Sequence, residues 1–561
     1  MLSVSTESAR LLHHRRWLVG IAAAILVLGI IVRLRLLGMP FERDEGEYAY
    51  AGWLITKGVP PYLLAYNMKF PGVYYLYSAV IVLANASPVA IHVALLLFSL
   101  GSAGWVYCLG RRYGSLESAV VAATTAFVLM LSPSVLGLAA HATHFLVFFA
   151  LAGFVALERA AATRQMLWWF VAGILLGSSV LMKQHAIFIA CLGVVWPFVI
   201  TEGTWRTTYR RRLRESGLVL AGFFLPLFFI ALILAQGGVL GRAWHWTFDY
   251  AREYVSVTPL SQAVFLLWRQ FRKIFRVWGA MWALSGIGAM ALWWLCRPVA
   301  KRLLLLLLAS FAAVLPGFYF RPHYFIVMLP FVALLAVLGI TAICERLVRF
   351  RCPMPTTLGA SLLFAVLGSC IWNQSQLLFA ASAIDVLDWQ YGRTPFREAP
   401  AIGRAIAGLT QPNERIAVLG SEPELMVYAE RQAATGYMYM VPLLEKQAFA
   451  IRMQNELIAE LAANRPEALV LIDMPGTWDG PQPTHETPTR VVAWTEVWMR
   501  QNYRPAAIFP IGQSRGKVVP ITDPVRLRAA WNRFSWCIQT ATHPCERNWV
   551  WVLERADHGT L

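Results

Sequence analysis

Two acidic residues, Asp44 and Glu45, are adjacent shortly after the first long apolar stretch of the chain, with Arg43, Glu47 and Tyr48 beside them. Neighbouring carboxylates at a membrane surface repel each other, so such a cluster indicates a functional constraint. A carboxylate can take the proton of a hydroxyl group while that hydroxyl attacks an anomeric carbon. Asp44 is therefore a candidate general base, with Glu45 as its neighbour. The alternative is a solvated loop without a catalytic role.

Two histidines, His141 and His144, form a second candidate group. Residues three apart on a helix share one face, so both imidazoles can act on one ligand. They could bind a divalent metal together with a carboxylate of the first loop, although two ligands alone do not define a metal site. They could instead orient a sugar or a phosphate, or be interfacial histidines that bond to their neighbours. The sequence defines no certain cofactor.

The elements that must position these groups are membrane-spanning helices. Of the 561 residues, 58% are hydrophobic and 14% are charged, whereas about a quarter of a soluble protein is charged. Several stretches lack Asp, Glu, Lys and Arg entirely, among them 70–110, 118–157 and 216–241. Continuous apolar runs favour helices over barrel strands. A length of about 20 apolar residues per crossing predicts about eleven spans, near 17–37, 87–109, 118–134, 138–157, 166–182, 184–201, 216–238, 277–296, 303–320, 323–344 and 356–379.

The basic residues predict how these spans are oriented. Lys and Arg collect in cytoplasmic loops, and here they follow alternate spans. The residues concerned include Arg111, Arg112, Arg159, Arg164, Arg210, Arg211, Arg212, Arg297, Lys301, Arg346 and Arg349. We therefore expect the N-terminus inside and residues 380–561 outside. The formal net charge of +18 is explained by such loops and anionic lipid, and no basic face with interleaved aromatic residues indicates nucleic acid.

One segment does not follow this pattern. The loop 239–276 should be external, yet it holds several basic residues, among them Arg242, Arg252 and Arg269. Its part from Phe265 to Trp278 mixes basic and apolar residues and predicts an interfacial helix on the membrane. Either the predicted topology is wrong here, or the basic groups face anionic headgroups or a lipid phosphate. Charge placement favours the second interpretation.

The composition changes after residue 380, where charged residues return and the pattern becomes α/β. Arg415 to Gly420 and Ala468 to Ile472 predict short buried strands, and Glu445 to Ala463 has helical periodicity. The sequence contains neither a G-x-G-x-x-G motif nor a Walker A motif. Nucleotide binding is therefore not expected.

These features divide the chain into a transmembrane domain, 1–379, and a small external α/β domain, 380–561. The transmembrane domain includes a first external loop, 38–86, which carries the acidic cluster. Cys537 and Cys545 lie close together in the external domain. An oxidising compartment permits a disulfide between them, and two unpaired thiols are the alternative.

Several motifs resemble those of one known enzyme superfamily. Arg43 to Tyr48 (RDEGEY) and Lys69 to Leu76 (KFPGVYYL) are similar to the first loop of the C-type (GT-C) glycosyltransferases, in the bacterial branch of protein O-mannosyltransferase-like and lipid A aminoarabinose transferases. Gly177 to Ala186 (GSSVLMKQHA) resembles a Gly-rich helix ending in an outer Lys. Arg321 to Pro330 (RPHYFIVMLP) resembles the R-x-H-Y-F-x-x-x-x-P segment. The stretch RIAVLGSEPELMVYAERQAATGY resembles a segment of the external domain in this branch.

The resemblance implies roles for individual residues. The first-loop carboxylate of the family corresponds to Asp44, and Lys183 and Arg321 match positions suited to a donor phosphate, as does Lys69. The alternatives are that Lys183 extends from the interface to water and that Arg321 faces lipid headgroups. The residues expected to contact substrate are Arg43, Tyr48, His141, His144, His323 and Tyr324. The chain departs from the family in the turn between its third and fourth spans, where His141 and His144 replace an expected acidic residue. This departure leaves the acceptor and the metal dependence open.

The sequence thus predicts a polytopic α-helical membrane protein of the GT-C type, located in the plasma (inner) membrane of a cell with an envelope. We expect it to move a hexose or pentose, with inversion, from a polyprenyl-phosphate donor to an acceptor hydroxyl at the outer face. The acceptor would be a glycolipid such as lipopolysaccharide, another glycan, or a protein. The alternatives are a transporter or flippase for polyprenyl-linked glycans and a non-catalytic membrane sensor. Charged residues deep in spans and internal repeats, which would favour a transporter, are not evident.

Overall fold

The structure is a computed structural model that describes residues 6–200, 205–350, 354–474, 477–478, 490–512, 518–534 and 548–556. The chain divides into two compact units. The helical unit comprises Met1–Leu37, His92–Ala231 and Thr258–Ser382. The sheet unit comprises Gly38–Ile91, Leu232–Val257 and Ala383–Leu561. The segment after Ser382 therefore shares its unit with two segments from earlier in the chain, whereas the predicted division into 1–379 and 380–561 stays a prediction.

The α-helices of the described residues are numbered in chain order. They are α1 (Thr6–Arg35), α2 (Arg43–Thr56), α3 (Gly72–Ala84), α4 (Pro88–Tyr113), α5 (Leu116–Met130), α6 (Ala142–Thr163), α7 (Met166–Met182), α8 (Ile187–Ile200), α9 (Trp205–Gln236), α10 (Leu240–Trp244), α11 (Ala251–Ser256), α12 (Leu260–Leu295), α13 (Arg297–Ala312), α14 (Leu329–Arg349), α15 (Pro355–Trp372), α16 (Ala383–Tyr391), α17 (Ala399–Leu409), α18 (Glu424–Ala429), α19 (Val441–Leu444), α20 (Ala450–Asn464), α21 (Arg490–Asn502) and α22 (Pro524–Asn532). Short 3₁₀ turns lie at Pro133–Val135, Gln184–Ala186, Pro316–Phe318 and Pro322–Met328, and single π-helical turns at His245–Tyr250 and Gln376–Ala380.

The membrane-spanning character of the chain is evident in its helices. Seven helices of the described residues are long and apolar enough to cross a bilayer, and each coincides with a predicted span. The other four predicted spans coincide with helices of 14 to 17 residues, namely α5, α7, α8 and α13. The protein is therefore a polytopic α-helical membrane protein with a small α/β part, as predicted.

A buried carboxylate joins four helices of the helical unit. Glu158 of α6 accepts hydrogen bonds from Tyr113 Oη at 2.9 Å and from Trp196 Nε1 at 3.2 Å. It also forms ion pairs with Arg112 at 3.3 Å and with Arg302 at 3.5 Å. Because a buried charge is costly without partners, this arrangement fixes the ends of α4, α8 and α13 around α6.

The sheet unit contains one five-stranded sheet. Its strands are β1 (Arg415–Leu419), β2 (Gln432–Ala433), β3 (Ala468–Asp473), β4 (Tyr503–Pro510) and β5 (Trp549–Arg555), in the order β2-β1-β3-β5-β4. Strands β2, β1 and β3 run parallel, and β5 is antiparallel to both β3 and β4. All residues of β3 are buried, as expected for a central strand with both faces covered. The two predicted strands and the helix between them, α20, are confirmed.

The structure contradicts one expectation, the separate interfacial helix, and does not describe another, the cysteine pair. Phe265 to Trp278 does not form a separate interfacial helix, because the backbone continues without a break through α12 from Leu260 to Leu295. At 1.5 Å per residue, these 36 residues span about 54 Å, more than the hydrocarbon thickness of about 30 Å. The expected pair Cys537 and Cys545 lies outside the described residues.

Candidate active site

The acidic cluster lies at the start of α2 in the sheet unit. The Glu42 carboxylate accepts a hydrogen bond from the backbone N–H of Glu45 at 2.9 Å, and the Glu45 carboxylate accepts one from the N–H of Glu42 at 3.3 Å. This reciprocal cap satisfies two N–H groups that a helix start otherwise leaves without partners. Asp44 consequently lies in the first turn of α2, where the helix dipole stabilises negative charge.

The same cap gives Glu45 a role that the sequence did not predict. Its side chain is buried and bonds to the Glu42 backbone. We expected Glu45 to accompany Asp44 in catalysis, whereas its position indicates that it stabilises the end of the helix on which Asp44 lies. A Ser or Thr at the cap is the usual sequence signature of this motif, and Glu42 takes that place here.

Lys69 connects two carboxylates of α2. Its Nζ donates to Asp44 Oδ1 at 2.9 Å and to Glu47 Oε2 at 2.7 Å, and it lies 4.5 Å from the centroid of the Tyr48 ring. Burial by itself lowers the pKa of Lys69, but Asp44 and Glu47 outweigh burial and hold that pKa well above its usual value. The ammonium is therefore charged and already compensated. The expected role of Lys69 in binding a donor phosphate stays a prediction.

Glu47 is the residue of this cluster to which we had assigned no role. Its buried carboxylate accepts hydrogen bonds from Tyr74 Oη and from Tyr439 Oη, each at 2.7 Å, in addition to the bond from Lys69. Burial raises the pKa of Glu47, and the adjacent Lys69 ammonium opposes that rise. Its spacing of three residues from Asp44 on one helix was a usable signal. The hydrogen bond from Tyr439 had no such signal in the sequence, because Tyr439 lies 392 residues from Glu47.

Arg43 links the start of α2 to another part of the same unit. Its Nη2 lies 3.0 Å from Oε1 of Glu422, a buried carboxylate just before α18. Burial by itself lowers the pKa of Arg43, but Glu422 and its neighbours outweigh it and raise that pKa. Next to this pair, α2 approaches α18 so closely that a side chain at Gly46 would lie 2.6 Å from the backbone N of Glu424. Arg43, predicted to contact substrate, thus has a structural partner.

Tyr48 is buried rather than open to a ligand. Only 2% of its surface is exposed, and its ring packs against Tyr74 and Tyr77 at centroid distances of 6.2 and 5.4 Å. Its ring face also supports Lys69. The structure therefore places Tyr48 beside the Asp44–Lys69 pair, and its expected contact with substrate stays a prediction.

In the helical unit, a second cluster contains predicted residues from three separate segments. The imidazoles of His141 and His323 stack with centroids 4.1 Å apart and planes inclined by 13°. His323 in turn packs edge-on against Tyr324 at 4.8 Å. Lys183 lies with Nζ 3.8 Å from the centroid of the Tyr324 ring and donates to Thr143 Oγ1 at 3.3 Å. The motifs around positions 141, 183 and 321 thus meet within one unit.

Local sequence explains the position of Lys183. It is the residue at which α7 ends. Gly177, two turns earlier, packs directly against the carbonyl oxygen of Phe223, and a larger residue would leave no room for this approach of α7 and α9. The glycine of the motif therefore sets the position of the helix that ends in Lys183.

Arg321 and His144 differ in their surroundings. Arg321 is exposed, at the start of the 3₁₀ turn Pro322–Met328, and its guanidinium lies 5.8 Å from the centroid of the Tyr319 ring. His144 is buried in the first turn of α6, and its backbone N–H donates to the carbonyl oxygen of His141. Of these two side chains, Arg321 is the more accessible to an anionic ligand.

The histidines of this cluster offer a limited donor set for a metal. His141 and His323 supply two imidazoles, whereas zinc sites in proteins use three or four protein ligands. The metal alternative therefore stays a prediction.

Comparisons with known proteins agree with this architecture. Residues 68–234 match the family described as dolichyl-phosphate-mannose-protein mannosyltransferase. Among solved structures, ArnT from Cupriavidus metallidurans in the apo state is similar with a TM-score of 0.54 and 15% identity, over 82% of this chain and 94% of that chain. ArnT bound to undecaprenyl phosphate gives a TM-score of 0.53 and 15% identity, over 95% and 98%. The likeness to ArnT confirms the predicted GT-C-like fold.

The apo oligosaccharyltransferase of Archaeoglobus fulgidus also aligns, with a TM-score of 0.46 and 14% identity over 90% of this chain and 74% of that chain. Among curated protein sequences there is no significant match. At about 15% identity, the likeness to ArnT shows a common fold, so the roles of individual residues depend on the contacts within this chain.

Proposed function

We propose that this protein is a GT-C glycosyltransferase, which transfers a sugar from a polyprenyl-phosphate donor to a hydroxyl of an acceptor at the outer face of the membrane. The observation that carries the proposal is the carboxylate of Asp44. It is held at the start of α2 by Lys69 and still exposes 16% of its side-chain surface. The undecaprenyl phosphate bound to ArnT supports a donor of the polyprenyl-phosphate class.

In the proposed step, the acceptor oxygen attacks the anomeric carbon while the bond from that carbon to the phosphate oxygen breaks. The electron pair of the broken bond leaves with the polyprenyl phosphate, and the hydroxyl proton passes to the Asp44 carboxylate. Because the attack comes from the side opposite the leaving phosphate, the anomeric configuration is inverted.

Lys183 and Arg321 are the proposed partners of the donor phosphate. The exposed guanidinium of Arg321 can donate two parallel hydrogen bonds to phosphate oxygens. The ammonium of Lys183 acts as a compact point charge. Positive charges fixed in position stabilise the negative charge that develops on the leaving phosphate. Lys69 is left out of this role because its charge is compensated by Asp44 and Glu47.

We further propose that the N-terminus lies in the cytoplasm and that the segment after residue 380 lies outside the plasma (inner) membrane. The alternation of basic loops supports this orientation. The proposed acceptors are accordingly components of the cell envelope: a glycolipid, another glycan, or a protein.

The proposal is tested first by mass spectrometry of envelope glycolipids and glycoproteins from cells with and without the protein. One sugar should be missing from one acceptor class in the deletion strain. The purified protein should then transfer that sugar from its polyprenyl phosphate in detergent or vesicles. A substrate that crosses vesicles unchanged would instead support the transporter alternative.

The role of Asp44 requires a matched pair of variants. Asp44→Asn should abolish transfer while the protein still folds, because the amide keeps the size of the carboxylate but cannot take the proton. Glu554→Gln is the control, since Glu554 is a carboxylate of the same unit that pairs with Arg504 at a partly exposed site. Full activity of Asp44→Asn would refute the assignment of Asp44.

A further inference from the structure

Within the proposed transfer reaction, on which this inference rests, we propose that Glu47 is a positioning residue. It holds Lys69 so that Asp44 keeps one orientation and its negative charge is not fully cancelled. Glu47 lies one helical turn after Asp44 on α2 and makes the shorter of the two contacts to the same ammonium, 2.7 Å against 2.9 Å.

Glu47 does not act on substrate directly. Its side chain has no exposed surface. Both of its oxygens accept hydrogen bonds, Oε1 from Tyr74 and Oε2 from Tyr439 and Lys69. Three donors favour the ionised carboxylate, and together they define its position from three directions. Its effect on the reaction must therefore pass through Lys69.

The charges of this group explain why a second carboxylate is needed. With both carboxylates ionised, Asp44, Glu47 and Lys69 together carry one net negative charge. Without Glu47, Lys69 and Asp44 would form an isolated neutral pair, in which the ammonium is free to take the hydrogen-bonding positions of Asp44 that an acceptor hydroxyl requires. Glu47 draws the ammonium toward the buried side, so that Asp44 keeps more of its capacity to accept a hydrogen bond from the acceptor.

The anchor of Glu47 comes from a distant part of the sequence. Tyr439 follows β2 and is half-buried, and its Oη bonds to Glu47 at 2.7 Å and lies 3.5 Å from the carbonyl oxygen of Arg43. The segment after residue 383 thus contributes a side chain to the network that holds the proposed base. Tyr439 is therefore a second positioning residue, one step further from Asp44.

The test measures kcat and the donor KM for Glu47→Gln, Lys69→Met and the double variant. Glu47→Gln should lower kcat by about 100-fold, the cost of misplacing a reacting group by about 1 Å, with little change in the donor KM. Because Glu47 acts through Lys69, the double variant should be no slower than Lys69→Met alone. Tyr439→Phe should show a smaller loss of kcat in the same direction.

Glu460→Gln is the matched control. Glu460 is also a carboxylate of the sheet unit with three donors, namely Tyr66 Oη at 2.8 Å, Thr435 Oγ1 at 2.6 Å and the N–H of Gly436 at 3.1 Å. It should retain kcat, although it loses a comparable set of hydrogen bonds.

The possible outcomes separate this inference from the proposed function. Normal kcat in Glu47→Gln, with an inactive Asp44→Asn, would overturn the positioning role alone. The positioning role would also be overturned if the fold-losses of kcat in Glu47→Gln and Lys69→Met multiplied in the double variant. An active Asp44→Asn would overturn the proposed function itself. If Glu47→Gln fails to fold, Glu47→Asp and Tyr439→Phe test the same coupling to Lys69.

Discussion

The guanidinium of Arg43 lies 3.0 Å from the carboxylate of Glu422, although 379 residues separate them in sequence. The contact joins the first turn of α2 to the segment between β1 and α18 in the same unit. Glu422 has no exposed side-chain surface, whereas Arg43 has 30%. The partner that depends on this contact is therefore the buried carboxylate.

Arg43→Met should destabilise the protein because it leaves Glu422 buried without its cation. Removing one partner of a buried ion pair costs about 3–5 kcal/mol, and the partial exposure of Arg43 places the expected cost at the lower end. Thermal unfolding in detergent at one fixed scan rate measures the effect as a lower Tm. An Arg43→Lys variant should recover part of the loss, and an unchanged Tm in Arg43→Met would contradict this interpretation.

Gly46→Ala should also destabilise the protein, although alanine normally strengthens a helix. The added methyl group would meet the backbone of Glu424, and overpacking of this kind costs about 1–3 kcal/mol. Gly408→Ala is the control, because Gly408 lies in α17 of the same unit with no atom within 4 Å of the added carbon. The Tm should fall in the first variant and hold or rise in the second. Equal Tm values for the two variants would be inconsistent with the close approach of α2 and α18.

Glu424→Gln should make stability less dependent on pH. Burial and the adjacent Glu422 raise the pKa of Glu424 well above its usual 4.5, and its carboxylate oxygens have no hydrogen-bond partner in another described residue. A carboxyl group whose pKa is raised by folding keeps its proton in the folded state. Stability is then lost as pH rises above the unfolded-state pKa, until the folded-state pKa is reached.

The measurement for Glu424 is the Tm of wild type and variant at pH 5 and at pH 8. The glutamine has no charge to bury, so the variant should be the more stable protein at pH 8, with a smaller difference at pH 5. Arg43 and Glu42 also face Glu424, so both measurements use the same salt concentration. A difference that shrinks with rising pH would show that the pKa is not raised.

Lys183→Met should weaken donor binding. A hydrogen bond to a charged group contributes about 1.5–3 kcal/mol, so the donor KM should rise about 10- to 150-fold. Lys57→Met is the control, because Lys57 is an exposed lysine that follows α2. The test is donor titration at saturating acceptor. An unchanged donor KM in Lys183→Met would remove Lys183 from the phosphate site.

The sequence predicted the fold well where one physical effect, the burial of apolar side chains in lipid, dominates. Long apolar runs are most stable as helices in lipid, and all eleven predicted spans coincide with helices. The helix from Leu260 to Leu295 is longer than the span predicted for it. Basic residues in its first half, such as Arg269 and Lys273, suggested a separate interfacial helix, yet they do not interrupt the backbone hydrogen bonds. Charge placement predicts where a surface lies, but it does not predict where a helix ends.

The candidate site was predictable in its residue types but not in its pairing. Asp44 and Lys69 were both identified, for separate roles, although they form one ion pair across 25 residues. The bond between Tyr439 and Glu47 spans 392 residues. Such contacts depend on how a whole unit packs, so no local sequence pattern or periodicity predicts them. The capping function of Glu45 was hidden because glutamate is an unusual residue at the cap.

The bond from Tyr439 to Glu47 bears on how such proteins can be recombined. The segment after residue 383 cannot be treated as an interchangeable cassette, since a chimaera that replaced it would remove both Tyr439 and Glu422 from the start of α2. A graft of this segment must carry these two side chains with it, or it must be accompanied by the matching first loop of the protein that supplies the segment.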